Sequence, residues 1–305
     1  MRPYRRLVLV AIGVSLVLIA IGGTVRATDS GLACPDWPAC YGRWIPPADL
    51  HMWIEHTHRL VAGVLLLLVW ALTLWTLRRF RDRRELLGPV LGAWILVHAQ
   101  ALLGALVVWN LLKAELVTAH LGMAMAVLGC LILLAVNVTR PPVRGAEWTP
   151  LQRGAAGVAA LAYVQILVGG HVTGIGASLV FTDFPTMGGT MLPRIGTEQE
   201  AYHVLHRVLA FALFFAVLWL AARVVRARRA GQAAGTWTEV QRWVVKLPMW
   251  AATLIVVQIG LGVANLASRA SYVTVTPHLA VASWIWAVLL LGALLTRRLT
   301  GEHSA

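Results

Sequence analysis

The 305-residue sequence is poor in charged side chains, which make up 13% of the chain, whereas hydrophobic residues make up 59%. Soluble domains carry about 25% charged and about 45–50% apolar residues. This shortage of charge excludes a water-soluble globular enzyme. A disordered chain is excluded as well, because disorder requires low hydrophobicity and high net charge.

Acidic residues are scarce beside basic ones: 13 Asp and Glu stand against 26 Lys and Arg, for a formal net charge of +13. A protein that binds nucleic acid clusters its cations on a polar surface. Here the cations fall between apolar runs, so we expect no nucleic-acid partner and interpret them as determinants of membrane topology. The 14 Trp residues, many near the ends of these runs, are typical of membrane interfaces.

Eight apolar runs are long enough to cross a hydrocarbon core of about 30 Å, which requires about 17–25 residues. They predict an all-α integral membrane protein in a lipid bilayer, with spans at about residues 7–23, 54–77, 87–109, 117–138, 154–173, 201–222, 247–267 and 277–296. One set of connections and termini holds 19 Lys and Arg, and the other set holds 7. The positive-inside rule then places both termini in the cytoplasm and the longer loops, 24–53 and 172–200, outside.

The sequence repeats itself. Residues 22–38 read GGTVRATDSGLACPDWP and residues 169–185 read GGHVTGIGASLVFTDFP, at an offset of 147 residues. The offset becomes 148 at His58 and His206, and 158 at His120 and His278. We therefore predict two tandem four-helix bundles, residues 1–144 and 145–305, related by a pseudo-twofold axis along the membrane normal.

The repeat preserves four histidines, each near the start of an even-numbered span and hence at a similar depth near the outer face: His58, His120, His206 and His278. A single histidine at such a place can be a polar interfacial residue, but four at equivalent positions favour a function. Two imidazoles on neighbouring helices can occupy both axial positions of a haem iron, whereas a closed zinc site requires four ligands. We expect one haem for each half, with His171 and His203 candidates for lining the second site.

The two halves differ in their outer loops. The first contains Cys34 and Cys40, and the equivalent positions of the second are Phe181 and Met187. Two cysteines so close together in an oxidising compartment are candidates for a disulfide. An exposed pair of this kind is compatible with a structural link and equally with a redox-active dithiol.

Charged residues next to the histidines differ as well. Glu55 lies three residues before His58, on the same helical face, where its repeat counterpart is His203. Its carboxylate could accept protons or stabilise positive charge in a transition state, or it could cap the start of the second span. Arg59 and Arg207 each follow a histidine and could reach either the lipid headgroups or haem propionates.

Taken together, these motifs resemble the haem A synthase family. The resemblance rests on the GGTVRATDSGLACPDWPAC segment, the Glu55-x-x-His58-Arg59 motif, the LHR at 205–207 and Pro277-His278, and it covers all eight spans. It implies a respiratory enzyme, expected in a bacterial plasma membrane, that oxidises the C8 methyl group of haem O to the formyl group of haem A. A haem O synthase and the assembly of haem-copper oxidases are then the expected partners.

The resemblance also implies roles for individual residues. His58 and His120 would bracket the iron of the substrate haem O, and His206 and His278 would ligate a resident haem b. Glu55 matches the family's acidic residue implicated in the oxidation, and the cysteines match its outer-loop pair. Each of the two oxidations removes two electrons, which would leave through the second haem or the Cys34–Cys40 pair to a further electron acceptor. A homo-oligomer is compatible with the pattern.

Two other interpretations compete with this one. A non-enzymatic di-haem cytochrome b that passes electrons between a quinol and an outer partner explains the four histidines, but leaves Glu55 and the one-sided cysteine pair unexplained. A transporter would also contain tandem repeats, but its polar groups usually lie near the midplane, in broken helices. Here they cluster at the outer ends of mostly uninterrupted spans.

Overall fold

The computed structural model describes residues 1–140, 148–233 and 239–298. These residues form eight long α-helices: α1 Arg2–Ala27, α2 Leu50–Arg79, α3 Arg84–Trp109, α4 Ala114–Thr139, α5 Pro150–Gly174, α6 Glu198–Ala233, α7 Glu239–Ala267 and α8 Tyr272–Thr296. All eight are long and apolar enough to cross a membrane. The prediction of an all-α membrane protein with eight spans is confirmed.

Several helices begin before the apolar run that predicted them, because polar side chains cap their first turns. The carboxylate of Asp49 accepts a hydrogen bond from the backbone N–H of Met52 at 3.0 Å, so α2 starts at Leu50. Thr149 and Gln152 form a capping box at the start of α5. Such caps satisfy backbone N–H groups that have no partner within the helix.

Two apolar cores hold the helices together. The first lies within α1–α4 and includes Val69, Leu72 and Leu131. The second gathers α5–α8 and also takes in side chains of α1 and α4, among them Leu16 and Met125. The second core therefore joins the two predicted halves, while the boundary between them, near residue 144, stays a prediction.

The two halves meet along α1 against α8 and α4 against α5. Glycines permit the close approach, as at Gly23, where an added Cβ would lie 3.1 Å from Leu279, and at Gly122, where it would lie 3.0 Å from Leu167. Small residues let membrane helices pack backbone to backbone, where no hydrophobic effect drives them together. The symmetry axis that we expect between the halves stays a prediction.

Candidate functional site

Both long loops lie at the same end of the bundle. Arg26, at the end of α1, donates a hydrogen bond to the carbonyl of Thr173, at the end of α5, at 3.3 Å. We call this the loop end; it carries residues 28–49, between α1 and α2, and 175–197, between α5 and α6.

The four repeated histidines lie close to the loop end. His58 and His206 come eight residues after the first residue of α2 and α6, and His120 and His278 come six residues after the first residue of α4 and α8. At about 1.5 Å per residue, all four lie about 9–12 Å along their helices. They also lie in pairs, since His58 interacts electrostatically with His120 and His278 with His206.

Each of these imidazoles packs against a glycine of the preceding odd-numbered helix. A Cβ added to that glycine would lie within 3.4 Å of the ring carbon Cε1: 3.2 Å for Gly22 and His58, 3.1 Å for Gly104 and His120, 2.8 Å for Gly169 and His206, and 3.4 Å for Gly262 and His278. The rings therefore rest on bare helix backbone. Gly22 and Gly169 are equivalent at the offset of 147 residues, and Gly104 and Gly262 are equivalent at the offset of 158, so the repeat carries the signal by which sequence comparison can find them.

A glutamine stands one helical turn before three of these glycines, at Gln100, Gln165 and Gln258. Gln100 donates to the carbonyl of His120 at 3.0 Å, and Gln165 donates to the carbonyl of His206 at 3.0 Å and contacts its Nδ1 at 3.1 Å. The position equivalent to Gln165 in α1 is Leu18, whose apolar side chain cannot form a hydrogen bond with His58. The ring of His206 is thus held by a glutamine side chain, whereas Nδ1 of His58, His120 and His278 has no hydrogen-bond partner among the described residues.

The arrangement fits a bis-histidine haem. Two imidazoles from different helices, each resting on a glycine that leaves room for the ring, make a donor set of the kind that clamps a porphyrin iron. Among residues 1–140, 148–233 and 239–298, no three His, Cys, Asp or Glu side chains come together as a metal cluster. The donor set therefore suits a haem better than a tetrahedral zinc ion.

In the first half, a buried carboxylate holds the loop between α1 and α2. Glu55, 3% exposed, accepts a hydrogen bond from the backbone N–H of Cys34 at 2.8 Å and forms an ion pair with Arg59. Arg59 also donates to the carbonyls of Cys34, Asp36 and Ala39, at 3.0, 2.7 and 2.6 Å. Glu55 therefore does not cap α2, as one interpretation had it, because Asp49 does so and α2 begins earlier.

The predicted disulfide between Cys34 and Cys40 is present. Both cysteines are fully buried, however, so the expectation of an exposed pair is wrong. The loop folds over them: the carboxylate of Asp36 accepts hydrogen bonds from the backbone N–H groups of Tyr41 and Gly42. These bonds, that of Gly42 above all, hold the pKa of Asp36 below its ordinary value.

The second half repeats this loop with different chemistry. Arg207 donates to three loop carbonyls, those of Phe181, Asp183 and Thr186, at 2.7, 2.7 and 2.9 Å. His203 takes the place of Glu55 and contacts Arg207 Nε at 2.9 Å and the carbonyl of Ala177 at 2.8 Å. Phe181 and Met187 pack together where the first half has its disulfide.

These contacts revise several expectations. Arg59 and Arg207 point into their loops and not toward lipid headgroups, while their contact with haem propionates stays a prediction. His203 supports the loop of the second half. His171 lies between the halves, with its ring centre 4.4 Å from that of Tyr202 and its Nδ1 3.4 Å from Thr118 Oγ1.

The fold and the site define a multi-pass membrane protein with a pair of histidines at the loop end of each half. Comparison with known proteins identifies the family within this class. The family model COX15-CtaA, described as a cytochrome oxidase assembly protein, matches residues 5–52 and 49–290. The chain therefore belongs to this family, that of the haem A synthases, and the predicted resemblance is confirmed.

Individual relatives agree over most of the chain. A protein of Exiguobacterium sibiricum named haem A synthase is 32% identical over 218 residues, which cover 69% of this chain and 71% of the relative. A haem A synthase of Bacillus licheniformis is 29% identical over 297 residues, or 93% of both chains. One from Alkalihalophilus pseudofirmus is 32% identical over 70% of this chain and 73% of its own.

Proposed function

We propose that this chain is a haem A synthase, an oxidoreductase that converts the C8 methyl group of haem O into the formyl group of haem A. The observation that carries the proposal is the buried carboxylate of Glu55, one turn from His58 and without an acidic counterpart in the second half. The names of the relatives support it. A simple electron-transfer protein with two equivalent haems has no need of this asymmetry.

The two halves divide the work. His58 and His120 hold the iron of the substrate haem O in the first half, where Glu55 and the cysteines lie. His206 and His278 would hold a haem b in the second half, where Gln165 contacts Nδ1 and the carbonyl of His206 and where His203 stands in the place of Glu55. The haem b, when bound, supplies a one-electron carrier.

The reaction consists of two successive two-electron oxidations of the methyl carbon. Each takes its oxygen atom from a water molecule and releases two electrons and two protons to an electron acceptor. The first gives an alcohol, and the second gives a gem-diol that loses water to form the aldehyde. Haem O enters laterally from the lipid and lies between α2 and α4. Glu55 accepts a proton released at the methyl carbon, because a carboxylate held beside the reacting group can act as a general base.

Arg59 has a positioning role in this proposal. It binds Glu55 and three carbonyls of the disulfide loop at once, so the carboxylate and the loop are held as one rigid unit beside the substrate. Cys34 is part of this unit through its N–H bond to Glu55. We place the loop end outside a bacterial plasma membrane, where an oxidising compartment maintains the disulfide, and both termini in the cytoplasm.

The reaction implies two partners. A haem O synthase must supply the substrate, and the assembly of haem-copper oxidases must consume the product, in agreement with the description of the family as cytochrome oxidase assembly proteins.

The test is expression of this chain together with a haem O synthase in a host that makes no haem A. Haem is extracted and resolved by reversed-phase chromatography with mass detection. A haem A peak that is absent without the chain is the expected result. Haem B and haem O alone, with a low-spin b-type spectrum from the purified protein, would contradict the proposal and favour the di-haem electron-transfer protein.

A further inference from the structure

Two of the contacts between the halves, α1 with α8 and α4 with α5, are equivalent in the repeat but differ in chemistry. Where α1 meets α8, Thr24 Oγ1 lies 3.1 Å from Thr276 Oγ1. The equivalent pair where α4 meets α5 is His171 and Thr118, with His171 Nδ1 3.4 Å from Thr118 Oγ1. One contact is thus closed by two hydroxyl groups, and the other contains an imidazole.

A groove of about 570 Å³ runs along the contact between α4 and α5. We call it the α4–α5 groove; it is lined by Glu115, Thr118, Met123, Tyr163, Leu167 and His171, among others. Its volume lies within the range of about 300–1,000 Å³ that is typical of small-molecule sites. The positions equivalent to Glu115 and Tyr163 on the other side are Val273 and Leu16, so that contact has neither the acid nor the phenol.

The polar groups of the groove lie at its loop end. Glu115 is an exposed residue in the first turn of α4, and His171 lies in the last turn of α5. From there the groove extends to Tyr163, eight residues or about 12 Å farther along α5. Below Thr118 the side chains that line it are mostly apolar, so its shape suits a molecule with a small polar head and a long apolar tail.

His171 has an unused hydrogen-bonding atom. Its Nδ1 approaches Thr118 and its ring packs on Tyr202, but its Nε2 is buried and has no partner among the described residues. A buried polar nitrogen without a partner is costly, which makes it a marker of a binding position. With Glu115 in the same groove, two groups that can exchange protons with a ligand stand at its head.

We propose that the α4–α5 groove binds an isoprenoid quinone, which takes up the electrons released by the oxidation; this rests on the function proposed above. Each oxidation releases two electrons and two protons, and one quinone that accepts two electrons and two protons becomes a quinol. The quinol hydroxyls pair with Glu115 and with Nε2 of His171, and the isoprenoid tail follows the apolar wall past Tyr163.

The chemistry of the groove favours this ligand over other membrane components. A phospholipid phosphate would meet the negative charge of Glu115, and no Lys or Arg is among the residues that line the groove. The single hydroxyl group of the hydroxyethylfarnesyl substituent of haem O lies beside the porphyrin ring, and the hydrocarbon chain beyond it offers no polar group to His171. A quinone has both the polar ring and the isoprenoid tail.

The test uses the full chain purified in nanodiscs, with azido-decylubiquinone as a photoaffinity probe and unlabelled decylubiquinone as competitor. The variants H171T and E115V introduce the residues that the contact between α1 and α8 carries at the equivalent positions. V273A, at an exposed site on α8 equivalent to Glu115, is the control. Haem spectra of all variants verify folding, and E115V alters an exposed side chain that the fold does not require.

We expect the label on peptides of α4 and α5, about a tenfold weaker binding in H171T and E115V, and no change in V273A. Equal labelling of all variants, or label on α1 and α8, overturns the proposal. Displacement of the probe by haem O or by phospholipid, but not by decylubiquinone, also overturns it. Because the assay measures probe binding and not haem A formation, failure to bind quinone and failure to make haem A are separate results.

Discussion

The glycine beside each histidine leads to a quantitative prediction for Gly169→Ala. The added Cβ would lie 2.8 Å from Cε1 and 3.3 Å from Nδ1 of His206. Favourable contacts between carbon atoms lie at about 3.5–4.0 Å, so the ring or the helix must move by about 0.7 Å. Overpacking of this kind costs about 1–3 kcal/mol.

This cost should lower the affinity for haem b more than it lowers the stability of the fold. Alanine is the better helix former by about 1 kcal/mol, which offsets part of the loss of stability. The displaced imidazole has no such compensation, and Gln165 holds the backbone and Nδ1 of His206 in the original place. We therefore expect the affinity for haem b to fall about tenfold or more.

The assay measures haem b content and the low-spin absorption bands of the purified protein during haem titration. Gly157→Ala, on the same helix with nothing within 4 Å of the added Cβ, is the matched control. Gly262→Ala, at 3.4 Å from His278, should give a smaller loss. Wild-type affinity and an unshifted spectrum in Gly169→Ala would refute the reasoning.

Three further predictions concern the loops and the carboxylate. Glu55→Gln should keep haem binding but lower haem A formation by about 10²–10⁴-fold, measured by chromatography of extracted haem, because it removes the proton acceptor. Replacing Cys34 and Cys40 together by Ser should destabilise the first loop by about 2 kcal/mol, measured as faster proteolysis there. The backbone N–H of Gly189 holds the pKa of Asp183 well below its ordinary value of 3.8. The stability of the second loop should therefore decline as the pH falls below 3.8. Pepsin cleavage within residues 175–197 measures this decline.

Each of these has a control and a contrary outcome. Asp49→Asn, at the exposed cap of α2, should leave haem A formation unchanged, and full conversion by Glu55→Gln would exclude the acid–base role. Cys130→Ser tests for effects of thiol loss alone, since Cys130 is a free cysteine. For the second loop, Asp183→Asn should remove the pH dependence of cleavage, because the variant has no carboxylate to protonate. A cleavage rate in the native chain that does not depend on the protonation of Asp183 would refute its role in stabilising the loop.

The sequence predicted the eight spans and the place of the four histidines correctly. A bilayer requires an unbroken apolar run of a certain length, so the number of spans can be counted from the apolar runs of the sequence. His58 and its three repeats could be placed near the ends of their helices by counting residues alone. Cys34 and Cys40 could be paired because six residues separate them in a loop.

The same reasoning did not assign Arg59 and Arg207, or the supporting role of His203. The direction of an arginine side chain depends on where loop carbonyls point, and those directions follow from backbone torsions that no residue pattern specifies. Glu55 was ambiguous for the same reason, because its partner, the N–H of Cys34, lies 21 residues away in the chain.

What the sequence by itself determined is therefore the membrane fold, the repeat and the positions of the four repeated histidines. Only the tertiary structure decided which atoms meet. It places a glycine against each imidazole and several loop carbonyls around Arg59 and Arg207, and it forms the α4–α5 groove, where Nε2 of His171 has no partner among the described residues. Hydrophobic periodicity is a local property of the chain and can be counted. Contacts between helices far apart in sequence depend on packing at the level of single atoms, and they appear only when all eight helices are in place.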